Sequence, residues 1–311
     1  MIKSQEYGRN YMMDLIKSKI RLMLSNGDLY LMMAPFLILF LMFTVIPVMS
    51  SVLLSFTDFN LLEWPSFVGW DNYVKLFLED KIFTITVKNT LLFALLTGPL
   101  SYFLSLFVAW MVNDLSPKIR TLFTFMFYAP SISGTMYFIW SLIFSGDIYG
   151  WVNGFLINTG ILNEPVAWLN DSRYSLSIIM LVQLWMSMGA GFLAFIAGLQ
   201  SIDRTLYESG SIDGVRNRWQ ELIYITLPSM GPQLLFGAVM QISASFSAGR
   251  ISIALAGNPS TDYAANTIIT HVIDYATIRY EMGYASAIAT VLFMLMLITN
   301  SFIRRVLRKY N

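Results

Sequence analysis

The chain has 311 residues, 56% of them hydrophobic and only 13% charged, with a net charge of +1. A soluble domain carries about 25% charged residues, so this composition excludes an aqueous globule and places the chain in a bilayer. The near-neutral balance argues against a nucleic-acid partner, and the absence of cysteine with a single histidine, His271, argues against disulfides, metal sites and a Ser-His triad.

A membrane helix needs about 20 apolar residues. Uncharged runs of that length lie between Asp28 and Asp58, Lys88 and Asp114, Arg120 and Asp147, Arg173 and Asp203, Glu221 and Arg250, and Glu281 and Arg304. They predict six spans, over 31–57, 88–112, 120–145, 174–201, 229–254 and 282–303. Ahead of them, residues 1–29 form a basic tail, either an amphipathic helix on the inner face or a solvated segment. The first span is too long for a signal-peptide core and no small-residue cleavage site follows it, so it is expected to be retained.

The connection 58–87 holds Trp64, Trp70, Tyr73 and Phe77. It is too short for a separate domain, and its aromatics suit the headgroup belt. Pro35, Pro47, Pro99 and Pro130 fall within or near spans, where neighbouring helices can satisfy the freed backbone groups. They read as packing kinks or as kinks along a passage. A short helix is expected near 150–159. In the fourth span, Gly189-Ala190-Gly191 and Gly198 permit close helix contact. Gly257-Asn258-Pro259-Ser260 is a turn signal, and a helix is expected between Tyr263 and Thr277.

With the N-terminus inside, the outer connections hold only Lys75, Lys81, Lys88, Arg173, Arg250 and Arg279, leaving the other fourteen of the 20 Lys and Arg inside. This asymmetry places both termini in the cytoplasm.

No phosphate-cradling Gly-x-x-x-x-Gly-Lys-Ser/Thr, dinucleotide fingerprint or His-Glu-x-x-His occurs. The span cores carry no ionisable side chain, which weighs against proton-coupled transport; energy then comes from elsewhere, or the protein does not pump. Their polar groups are neutral: Tyr128, Tyr137 and Trp140 on the third span, Gln183 and Trp185 on the fourth, and Gln241 and Ser245 on one face of the fifth. Such groups beside aromatic rings suit a hydroxyl-rich solute. Equally, they can join helix to helix by hydrogen bonds.

The largest inner connection runs from Ser201 to Pro228. Asp203 can cap a helix beginning at Arg204, Gly214 suits a sharp turn between two short helices, and Pro228 fixes the entry into the fifth span. Leu206, Ile212, Val215, Trp219 and Leu222 supply apolar contacts beside Glu208, Asp213, Arg216 and Arg218. The segment predicts a short helix across the inner face that presents a small knob to a cytoplasmic partner.

Glu208-Ser209-Gly210, Ile212-Asp213-Gly214-Val215 and Ile225-Thr226-Leu227-Pro228 resemble the Glu-Ala-Ala loop of binding-protein-dependent ABC importer permeases. Ser209, Gly210 and Val215 depart from that pattern in modest ways. Leu54-Ser55-Phe56-Thr57-Asp58-Phe59-Asn60, Phe67-Val68-Gly69-Trp70-Asp71-Asn72-Tyr73, Asn89-Thr90-Leu91 and Tyr284-Ala285-Ser286-Ala287 resemble the sugar-type permeases of that group, the maltose and glycerol-phosphate importers.

The resemblance implies an all-α type I importer permease fold with six transmembrane helices, covering 30–311, in a prokaryotic cytoplasmic membrane. It implies a non-catalytic subunit that binds no cofactor, paired with a second homologous permease, two cytoplasmic ATPases that hold ATP and Mg, and an external solute-binding protein. Coupling to the ATPase is implied for 203–228, with Glu208, Ser209, Gly210, Asp213, Gly214, Arg216 and Pro228 at the contact. A carbohydrate, an oligosaccharide above all, is the implied solute; a phosphate ester or peptide, and a membrane scaffold or receptor with no solute path, are the alternatives.

Overall fold

The computed structural model describes residues 27–307; the basic tail up to residue 26 lies outside the described residues. Among those described, the elements are helical, and the one isolated β-bridge pairs Thr57 with Phe67. The chain divides into two units, one ending at Leu53 and one beginning at Leu54. Helix α1, Gly27–Leu54, accounts for the described part of the first. Residues 27–40, 41–45 and 46–54 contribute no buried side chain, and Leu31 and Met32 are largely exposed.

The second unit is organised around α2, Lys81–Asn113. The sequence expectation began this helix at Lys88 because it stopped at charge. Asp80 caps it instead, its side chain accepting from the Phe83 N–H at 2.9 Å, and Lys81 and Lys88 sit within the first turns, where long stems can carry their charge out of the apolar layer. Apart from Phe83, Asn89, Phe93 and Val112, the buried stripe of α2 is small and hydroxylic: Thr86, Thr90, Ala94, Thr97, Gly98, Ser101, Ser105 and Ala109. Leu95, Leu96, Leu100, Phe103 and Met111 face outward. This is the arrangement lipid demands, because hydrocarbon provides no drive to bury leucine and helices associate through close packing and hydrogen bonds. Thr86, Thr90 and Thr97 return their hydroxyls to carbonyls of their own helix, at 2.7–2.9 Å.

The expected third span is not one helix. It divides into α3, Pro117–Ile132, and α4, Phe138–Ile143. Pro130 removes a donor near the end of α3, and the chain then turns through Gly134 at φ +56°. Counting charge measured apolarity but not continuity. Helix α5, Trp151–Asn158, lies at the expected place in the next connection.

Interruption recurs. The fourth span comprises α6, Ser175–Met186, and α7, Ala190–Ser201. Helices α8, Arg204–Ile212, and α9, Arg218–Glu221, follow. The fifth span comprises α10, Gly231–Phe246, and α11, Gly249–Ala256. Helix α12, Ile268–Ile273, occupies the connection predicted to be helical, and α13, Met282–Leu307, closes the described chain. Among the described residues, five stretches are long and apolar enough to cross a membrane: α1, α2, α6–α7, α10–α11 and α13.

Three buried clusters join these elements. Phe83 and Ala94 of α2 meet Ile242, Ile268, Tyr284 and Ile288; Phe93 meets Ile179, Val182 and Leu255; Ala109 and Val112 meet Phe192, Phe195 and Met230. Close approach of α7 to α10 depends on Gly191 facing the Gly237 backbone, where an added Cβ would lie 3.4 Å from the Gly237 Cα.

Candidate functional site

The connection after α7 is built as a braced knob. Asp203 accepts from the Thr205 N–H at 3.0 Å and starts α8. One side of α8 is held from behind: the Tyr207 and Thr226 hydroxyls lie 2.9 Å apart, and Gly210 is buried against Ile225. Asp213 ends the helix, and Gly214 reverses the chain at φ +98°, a conformation that costs other L-residues about 1–2 kcal/mol. Asn217 then caps α9 by accepting from Gln220 N at 2.9 Å, and the Gln220 side chain accepts from Arg216 N at 2.8 Å. Arg218 pairs with Asp114 at the end of α2 and lies over the Trp110 ring, whose centroid is 5.1 Å from that of Trp219.

Glu208, Ser209, Asp213, Gly214, Arg216 and Pro228 are therefore exposed, and Gly210 alone of the expected coupling residues is buried. Ile212 is 87% exposed at the tip. Behind the knob lies a polar cavity of about 550 Å³ bounded by Arg120, Arg204, Tyr207, Arg218 and Glu221.

The neutral residues of the spans fall into two groups. Tyr137 and Trp140 pack against the cluster around Val182. Trp140 meets Trp185 edge-to-face with centroids 5.6 Å apart, and its buried indole N–H has no hydrogen-bond partner among the described residues. Gln183, beside Val182 on α6, is buried, while Tyr128 on α3 is half-buried. The second group is a joint. Gln241 donates to the Ser105 hydroxyl at 3.0 Å and to the Ser187 carbonyl at 2.9 Å, and Ser245 donates to the Gln241 carbonyl.

At the break between α6 and α7 the Ser187 carbonyl accepts from the Gly189 N–H at 2.8 Å and from Gln241 on the facing helix. Replacing Gln241 with Leu strands the Ser105 hydroxyl and leaves the Ser187 carbonyl with the Gly189 N–H alone, so we expect a loss of about 1–3 kcal/mol, read as a lowered melting temperature in detergent.

At the opposite end of α2 lies a cluster the sequence did not single out. A 33-residue helix spans about 50 Å, so this cluster is well separated from the α8 knob. Asp80 accepts from Tyr284 Oη at 2.8 Å and lies 2.8 Å from His271 Nε2. Burial pushes its carboxyl up, but hydrogen bonds from His271, the Phe83 N–H and Tyr284 outweigh that and hold the pKa at about 2. Lys75 bridges to Glu281 at 2.8 Å beside it. Nearby, Asn89 donates to the carbonyls of Tyr263, Ala264 and Asn266, and Thr90 accepts from Ile268 N. The one cue in the sequence was an acid preceding a long apolar run, the pattern of a helix cap.

Residues 101–311 match the family model described as binding-protein-dependent transport system inner membrane component. The chain is 33% identical over 288 residues to the probable ABC transporter permease protein YesP of Bacillus subtilis, with 91% of each protein covered. It is 30% identical over 273 residues to the arabinooligosaccharides transport system permease protein AraP of the same organism, covering 87% of this chain and 85% of AraP. It is also similar to a chain in the crystal structure of a bacterial alginate ABC transporter in complex with alginate pentasaccharide-bound periplasmic protein: the TM-score is 0.75, with 25% identity over 93% of this chain and 97% of that one. A helical, polytopic subunit whose spans are broken and cross-braced by neutral side chains thus matches a family model across most of its length, and the chain belongs to the binding-protein-dependent transport system inner membrane components.

Proposed function

We propose that this chain is one permease subunit of an ATP-driven carbohydrate importer, with an oligosaccharide as solute. The observation that carries the coupling role is the α8 knob. It exposes Glu208, Asp213, Arg216 and Ile212 while Tyr207 and Gly210 hold it to Thr226 and Ile225, in the segment that leads into α10, and Arg218 holds it to Asp114 at the end of α2. A push on such a rigid element moves the spans behind it, as rigid-body switching requires. The chain lacks a phosphate-cradling loop, so ATP and Mg belong on two partner ATPases.

The solute reading draws on the relatives named for arabinooligosaccharides and alginate, and on neutral hydrogen-bonding groups beside Trp140 and Trp185. Interrupted backbone within a membrane is tolerated where it is buried in protein or lines a watery cavity, which suits breaks at Ser187 and Ser247 flanking a path. Six crossings follow if α3 and α4 together form one. The Lys and Arg asymmetry then puts both termini, and the 203–228 segment, in the cytoplasm. A second homologous permease completes the path, and a solute-binding protein delivers the sugar to the other face.

Affinity purification from membranes tests this reading: an ATPase and a second polytopic chain are expected to co-purify in stoichiometric amounts. Gly214→Pro cannot hold φ +98° and should shed the ATPase while keeping the second permease. Isolation of the wild-type chain without an ATPase under mild solubilisation would contradict the proposal.

A further inference from the structure

We infer that α5 is a membrane-surface anchor whose exposed face lies in the boundary between lipid headgroups and acyl chains. The inference needs the membrane setting of the chain and not its coupling role. Asn153 holds the helix in place. It is fully buried, donates to the carbonyls of Ser145, Asp147 and Val166 at 3.0–3.1 Å, and accepts from Val166 N and from Trp168 Nε1 at 2.8 Å. With that face fixed to the protein, the other must point away. It carries Trp151 and Phe155, 76% and 66% exposed and one turn apart, with Ile148 and Tyr149 open just before them.

Three features select lipid as the occupant. Helix α5 packs on α4, whose Phe138, Ile139 and Leu142 are also exposed, so the apolar surface continues from α4 onto α5. From Ile148 to Leu162 there is no charged residue, and Trp and Tyr concentrate at the membrane–water boundary. A protein that docks intermittently would leave this patch in water between encounters, whereas a bilayer covers it at all times.

The absence of cysteine in this chain makes site-directed labelling direct. Single substitutions Trp151→Cys, Phe155→Cys and Glu164→Cys, the last at an exposed acid beyond the helix, would carry a nitroxide. The complex as purified from membranes would be reconstituted in phosphatidylethanolamine–phosphatidylglycerol vesicles, with the unsubstituted complex as background. Collision with oxygen is expected to exceed collision with a nickel chelate at 151 and 155, and the ratio to reverse at 164. Nickel dominance at both helix positions would put the face in water. Exclusion of both reagents would mean that another protein chain covers it. Either result overturns the inference.

Discussion

Gly283→Val is expected to leave almost no folded protein. Gly283 opens α13, and its N–H donates to the Phe59 carbonyl at 2.8 Å. An added Cβ would strike the Thr57 carbonyl and come within 3.0 Å of Phe59 N. Backbone stands on both sides, so no side chain can swing away. Overpacking costs about 1–3 kcal/mol where neighbours can yield; here the first turn of α13 must leave the 57–59 strap and lose its hydrogen bond. The same turn carries Tyr284, Ala285, Ala287 and Ile288 into a buried cluster, and those contacts shift with it. Size-exclusion profiles of the solubilised chain provide the measurement. We expect aggregate for Gly283→Val and, because alanine carries the same clashing Cβ, a sharply reduced folded fraction for Gly283→Ala; a monodisperse Val variant with unchanged melting would refute this account of the position.

Asp80→Ala should cost nearly as much. It strands His271 and Tyr284 in a buried site and removes the cap of α2. A buried polar orphan costs about 1–3 kcal/mol and a lost cap about 1 kcal/mol. With two such orphans and the cap, the total falls at about 3–7 kcal/mol. Asp80→Asn keeps an oxygen for the Phe83 N–H and should cost less.

The sign with pH follows from a folded pKa lowered from 3.8 to about 2. The contribution is complete above 3.8, and it is lost as pH falls toward 2, because protonation then occurs in the unfolded chain first. Melting temperatures measured down that window should fall more steeply for the wild type than for Asp80→Asn. Parallel curves would mean the carboxylate does not set acid stability.

These two positions also show what the sequence made legible. Asn72, Asn89, Thr90 and Tyr284 stood within recognisable motifs, yet nothing in the letters said why. In the fold they are staples: Asn72 donates to the carbonyls of Ser55 and Thr57, Asn89 holds the 263–266 loop, and Tyr284 closes on Asp80. Each bond joins residues far apart in the chain, beyond the reach of any local pattern.

The α8 segment was legible for the opposite reason. The Asp203 cap and the Gly214 turn are local chemistry, and both fall where spacing put them. Helix breaks are less legible. The interruption after Ile132 lies between Pro130 and Gly134 and that at Ser187 is braced by Gln241, so an apolar run specifies a crossing without specifying continuity. Gln241 and Ser245 do share a face, as their spacing required, and that face bonds to Ser105 and Ser187.

The central claim is that ATP hydrolysis on another chain reaches the spans through α8. It is tested most directly by import into proteoliposomes holding the complete complex, with ATP inside and a sugar-loaded binding protein outside. The wild type should accumulate labelled oligosaccharide only when both are present. Gly214→Pro and Glu208→Lys should reduce uptake to the ATP-free background with normal amounts of chain in the vesicles. Uptake at the wild-type rate by both variants would contradict the claim.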